Sequence, residues 1–170
     1  AIIPALNAFA FAKLPIYIFG EEQGSEKVGN LFKNKLFWLF IVLMLCAGAS
    51  ELTMSQWASY FTEIGLGVSK TMCDLLGPCS FAVFMGISRV VYGKISHRVE
   101  VSKFIIVSGA LCVFSYVLTT LSPIPVLSVI GCALCGFSVG IMWPGVLSLA
   151  AKNCAKGGTA MFAFLALAGD

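Results

Sequence analysis

The chain has 170 residues, 59% of them hydrophobic and 11% charged, with 11 Lys and Arg against 8 Asp and Glu, a net charge of +3 and a mean hydropathy of +0.95. About a quarter of an ordinary soluble domain is charged, so this composition excludes a soluble globular protein. The cations are scattered singly through short polar stretches, which also excludes a nucleic-acid binder with a basic face. Apolar runs of about 20 residues cross a hydrocarbon core at the helical rise, so the expected fold class is all-α, a polytopic transmembrane helical bundle.

Residues 1–19 read as the end of one transmembrane helix, closing near Lys13 and Pro15, where a lysine snorkels and a proline kinks or stops a helix. A linker follows at 20–34, carrying Glu21, Glu22, Glu26, Lys27 and Lys33 among glycines and lacking hydrophobic periodicity. Residues 35–170 read as part of a bundle, with helices expected at 36–61, 71–92, 101–121, 126–151 and 159–170. Phe37 and Trp38 open the first of these and Trp57 and Tyr60 lie towards its far end, the placing of an aromatic belt. Gly65-Leu66-Gly67 makes a turn, with Ser69 as the next helix N-cap. Ser122-Pro123 and Pro125 end the third span, and Lys152 to Gly158 is a short loop. The chain opens inside one apolar run without a signal-peptide pattern and ends inside another, so it reads as a fragment.

Lys and Arg near the span ends set orientation. One set of alternate loops holds Lys27, Lys33 and Lys35, then Lys94, Arg98 and Lys103, then Lys152 and Lys156, whereas the other set holds Lys70 alone. Loops 20–34, 93–101 and 152–158 are therefore expected on the cytoplasmic side of a multi-pass protein of the plasma (cytoplasmic) membrane. The span at 36–61 then runs outward, and its successors alternate.

Gly86-Ile87-Ser88-Arg89-Val90-Val91-Tyr92-Gly93-Lys94-Ile95-Ser96-His97-Arg98 is a small, basic hinge between two apolar runs. Gly93 is expected to let two helices approach closely at a tight reversal. Arg89, Lys94 and Arg98 could act as cationic anchors alone, but the spacing of Arg89, Gly93, His97 and Arg98 resembles the loop motif of the major facilitator superfamily, roughly G-R-x-x-x-G-x-x-x-D-R-x-G-R. Ser88 stands at its first Gly, His97 at its Asp, and Val99-Glu100-Val101 replaces its closing Gly-Arg. Cys135 to Gly145 is similar to the family's small-residue-rich tenth span. The resemblance implies a twelve-span transporter of two six-helix bundles around a central cavity, working by alternating access. This chain would be an incomplete second bundle, spans about six to eleven, with the missing N-terminal half of the protein as its partner.

An ionisable group inside a membrane helix is by default a functional-site hypothesis. Glu51 lies 16 residues after Lys35, ~24 Å of helical rise, and Asp170 lies 14 residues after Lys156, ~21 Å up a helix running the same way. The two carboxylates are thus expected at similar depth, buried against a donor or exchanging a coupling proton. Met54, Ser55, Ala58 and Ser59 follow Glu51 at helical spacing as a small face suited to lining a cavity. Gln56 and Trp57 would suit a sugar, by amide hydrogen bonds and stacking, while belt anchoring is the plainer reading of Trp57 and Tyr60. Trp143-Pro144-Gly145 should kink its helix and free a carbonyl, for gating or for packing. Gly136 and Gly140 form a close-packing G-x-x-x-G pair, and Lys70 with Asp74 an ion pair at a helix start.

The seven cysteines lie mostly inside apolar spans, where free Cys acts as a small hydrophobe. Paired aspartates and H-E-x-x-H are absent from the sequence, so no enzyme, metal or cofactor is expected. The function expected is secondary active transport of a small polar solute, a sugar among the candidates, coupled to protons within the lipid bilayer. A drug or organic-ion exporter and a non-transporting membrane scaffold or receptor of the same fold are the alternatives.

Overall fold

A computed structural model of the chain describes residues 9–10, 12–13, 28–66, 69–95, 99–122, 124–154 and 157–170. Most of the expected helix end at 1–19 and of the linker at 20–34 lies outside the described residues, as do His97 and Arg98. Among the described residues there is no strand. The helices are α1 (Val28–Leu31), α2 (Lys35–Leu66), α3 (Lys70–Asp74), α4 (Ser80–Ile95), α5 (Val101–Leu121), α6 (Pro125–Val139), α7 (Met142–Asn153) and α8 (Gly158–Gly169). Four stretches among these residues are long and apolar enough to cross a bilayer: Lys35–Ile64, Lys70–Ile95, Val101–Leu121 and Val126–Asn153.

The polarity of the bundle is the reverse of a soluble protein's. Ile106, Val107 and Leu167 are 71%, 66% and 73% exposed, while Ser108, Ser115, Thr119 and Ser138 are buried. Three of these hydroxyls bond within their own helices: Ser115 Oγ donates to the Leu111 carbonyl at 2.7 Å, Thr119 Oγ1 to Ser115 at 2.8 Å and Ser138 Oγ to Cys135 at 2.7 Å. Such a chain gains from lipid solvation outside and from small-residue packing inside.

α6 is the centre of the packing, touching α2, α4 and α5, and α2 also carries α7 and α8. One core cluster joins Phe37, Phe40 and Met44 of α2 to Val146 and Ala150 of α7 and to Met161 and Leu165 of α8. The other joins Met54 and Ala58 of α2 to Phe81, Cys112, Cys132, Cys135 and Val139. Five cysteines are buried and none of the seven is in a disulfide, in keeping with a packing role.

Several local expectations need correction. Phe37 is fully buried rather than in a belt, edge-on to Phe32 at 5.6 Å, while Trp38 stays exposed and donates to the Phe32 carbonyl at 2.9 Å. Ser69 holds the N-cap position through its carbonyl, which accepts Met72 N–H at 2.9 Å, with no hydroxyl cap bond. The second span is not one regular helix, because a π-turn at Leu75–Cys79 contains Pro78. Proline has no N–H and crowds the preceding turn, so the ladder widens there. The wide turn seats Gly77 on α2, where a Cβ would come within 2.7 Å of the Ala58 carbonyl oxygen. Asp74 accepts a hydrogen bond from Ser59 of α2 instead of pairing with Lys70. Among the described residues the ion pair formed is Lys103 with Glu100, at 3.2 Å.

The span expected at 126–151 is likewise two helices, broken at Gly140 and Ile141, one turn before Pro144. α8 opens at Gly158 with a φ of 56°, the left-handed geometry that glycine adopts freely.

Candidate functional site

Two places gather the residues singled out in the sequence. The first lies where α4 meets the break between α6 and α7. Gly136 and Gly140 bring α6 to backbone contact with α4: a Cβ on Gly140 would lie 2.7 Å from the Met85 carbonyl oxygen and 3.0 Å from Ser88 Cβ. Pro144 has no N–H to give the Gly140 carbonyl, four residues earlier, so that oxygen is left without its helical donor. Arg89 supplies one across 51 residues of sequence: its Nε donates to the Gly140 carbonyl at 3.0 Å. The motif arginine is therefore the partner of the carbonyl freed by the proline.

Past this contact α4 and α7 part around a cavity of about 400 Å3, lined by Arg89, Tyr92, Ile141, Trp143, Pro144 and Leu147. Tyr92 is held by a tilted ring contact with Phe104 at 5.1 Å. Arg89 Nη2 lies 3.9 Å from Met85 Sδ. Ser88 is fully buried, and its hydroxyl has no hydrogen-bond partner. The motif spacing drew attention to Arg89, but nothing local in the sequence marked Tyr92 or Leu147 as its neighbours.

Gly93 corrects an expectation. It sits inside α4, which runs on to Ile95, and among the described residues a Cβ there would meet nothing within 4 Å. The close approach is made by Gly136 and Gly140 instead, because the crossing point lies further up α4, at Phe81 and Met85. His97 and Arg98 lie outside the described residues.

The second place is the meeting of α2, α7 and α8. A Cβ on Gly48 would collide with the Gly169 carbonyl, and one on Gly169 would collide with the Trp143 indole. Glu51 stands three residues beyond Gly48, on the same side of α2, and Asp170 follows Gly169, its N–H donating to Ala166 at 3.1 Å. Glu51 and Asp170 thus lie within one turn of the glycines of this contact, with Glu51 half-buried and Asp170 exposed. Beside them the Tyr116 hydroxyl of α5 donates to the Ser50 carbonyl at 2.7 Å.

The rest of the expected site is dispersed. Ser55 is half-buried and donates to Leu52 of its own helix at 3.1 Å. Met54 and Ala58 are buried in the core, as the 3.6-residue period turns that face towards α6, and Met54 also borders a small cavity. Gln56 is exposed, and Trp57 and Tyr60 are exposed and edge-on to each other at 5.7 Å. Trp57 also borders a small cavity of about 240 Å3 with Thr53, Tyr116 and Thr120. Among the described residues no group of His, Cys, Asp and Glu could hold a metal.

Compared with known proteins, the chain matches no curated protein and no solved structure. The family model described as Major Facilitator Superfamily matches residues 5–169. Together with the apolar spans and the helical bundle, that match over nearly the whole length means that this chain is a multi-pass membrane protein and belongs to the Major Facilitator Superfamily of membrane transporters.

Proposed function

We propose that the chain is part of the second bundle of a secondary active transporter that carries a small polar solute, a sugar among the candidates, together with protons by alternating access. The observation that supports this reading is the Gly48–Gly169–Trp143 contact, which joins the helices whose sequences carry Glu51 and Asp170. The Arg89–Gly140 bond then joins the motif to the broken helix, so that movement of α4 is felt at Trp143. The basic loops face the cytoplasm of a plasma (cytoplasmic) membrane protein, and the chain performs transport and no catalysis.

The test is the full-length protein in proteoliposomes with an entrapped pH dye, scanned against sugars, organic acids and drugs beside Glu51→Gln. Solute-driven acid movement that disappears in the variant is the expected result. Movement unchanged in Glu51→Gln removes Glu51 from the coupling path, and the absence of acid movement with every solute removes proton coupling altogether. One observation favours an exporter of organic ions as the second reading: an almost wholly apolar cavity of about 350 Å3 between α2, α5 and α7, bordered by Leu43, Ile105, Val113 and Val146.

A further inference from the structure

The cavity between α4 and α7 has a chemistry that solute–proton coupling at Glu51 does not use. Among the described residues its one charged lining residue is Arg89, and the remainder are two aromatic side chains, a proline and two aliphatic side chains. At about 400 Å3 it falls in the size range of small-molecule sites, which are mostly apolar with a few placed polar groups. Arg89 Nε is spent on the Gly140 carbonyl, which fixes the plane of the guanidinium and leaves Nη1, while Nη2 has only the weak acceptor Met85 Sδ at 3.9 Å. Among the described residues no carboxylate lies within ion-pair distance of Arg89. A cation on an apolar wall, oriented by one bond and with no counter-charge among the described residues, selects an anion, and the guanidinium fork selects a planar or tetrahedral oxyanion above a halide. Ser88, fully buried and unpartnered, adjoins Gly140 where the two helices close.

We infer that this cavity is a binding site for an oxyanion carried on an apolar body, a phosphate or carboxylate held by Arg89 with its hydrocarbon part against Trp143, Pro144 and Leu147. Both a soluble organic anion and an anionic phospholipid from the bilayer have this chemistry. Neutral ligands of the same shape, such as glycosides, bind poorly here, whichever solute the protein transports.

The test uses the full-length protein in nanodiscs of neutral phosphatidylcholine, with phenyl phosphate as the probe and phenyl glucoside as its neutral counterpart, read by calorimetry. Phenyl phosphate is expected to bind at least about ten-fold tighter than the glucoside, a gap of about 1.4 kcal/mol. Arg89→Gln is expected to remove most of that preference. Leu147→Trp fills the cavity and leaves the Arg89–Gly140 bond in place, so its loss of phosphate binding is not a loss of fold. Repeating the titration with phosphatidylglycerol in the discs separates the sources: weakened phosphate binding identifies the lipid as the occupant, unchanged binding a soluble anion, and both uphold the site. Equal affinity for phosphate and glucoside, no phosphate binding at all, or wild-type affinity in both variants would overturn it.

Discussion

Gly140→Ala tests the contact on which the motif site rests. Gly140 has φ −54° and ψ −31°, ordinary helical values, so an alanine there is not strained in its own backbone. The obstacle is α4: the new Cβ would stand 2.7 Å from the Met85 carbonyl oxygen, where ordinary contact begins at 3.4 Å. A carbonyl cannot swing aside as a side chain can, so the helices must separate by about 0.7 Å, the difference between those two distances. Along the same line the 3.0 Å Arg89–Gly140 bond stretches to about 3.7 Å, beyond hydrogen-bonding range. Overpacking costs about 1–3 kcal/mol, the lost bond about 1 kcal/mol, and the better helix propensity of alanine returns about 1 kcal/mol. The net is a destabilisation of about 2 kcal/mol, or a fall in Tm of roughly 4–8 °C for a chain of this size. A maleimide dye that fluoresces on reaching buried cysteines gives the assay, in detergent, on the full-length protein. Gly86→Ala is the control: it sits on α4 with nothing within 4 Å of its Cβ and should be neutral or slightly stabilising. Equal Tm values for the two variants would refute backbone contact between α4 and α6.

Pro144→Ala restores an N–H to the Gly140 carbonyl and relieves Arg89 of that duty, so Arg89→Lys should destabilise the parent more than the Pro144→Ala background, by about 1 kcal/mol in a double-mutant cycle; additivity would uncouple the two residues. In the native protein a lipid-soluble maleimide should reach Cys46 and Cys79, which are exposed, and spare Cys73, Cys112, Cys132, Cys135 and Cys154 until unfolding, as read by mass spectrometry of digests. A cysteine placed at Glu100 should react with an impermeant maleimide only when the cytoplasmic face is opened, and labelling of intact cells at that position would reverse the orientation.

The site was legible in part. The Arg89 spacing and the Pro144 kink are both visible in the sequence, because one is a motif and the other is the local chemistry of a missing N–H. Their union is not, since the donor and the acceptor lie 51 residues apart and the bond exists only where α4 crosses α6. Glu51 and Asp170 could be assigned a depth by counting helical rise, but which helix faces they share depends on the touching of Gly48 and Gly169. Gly93 illustrates the reverse: its place in the motif suggested a close approach, and its surroundings are open among the described residues.

Sequence by itself determined the class of the molecule. Hydropathy is a local property, and a bilayer admits little besides helices from segments this apolar, so the apolar helical class, the break near Pro144 and the burial of most cysteines followed from composition and order. Tertiary structure alone decided that Pro78 widens its helix to seat Gly77 on α2, that Met54 and Ala58 enter the core, and that Arg89 closes the gap left by Pro144. In a membrane no hydrophobic drive singles out one helix face over another, since lipid is as apolar as the interior. Close fit and hydrogen bonding choose the pairs, and both are properties of surfaces brought together from distant parts of the chain.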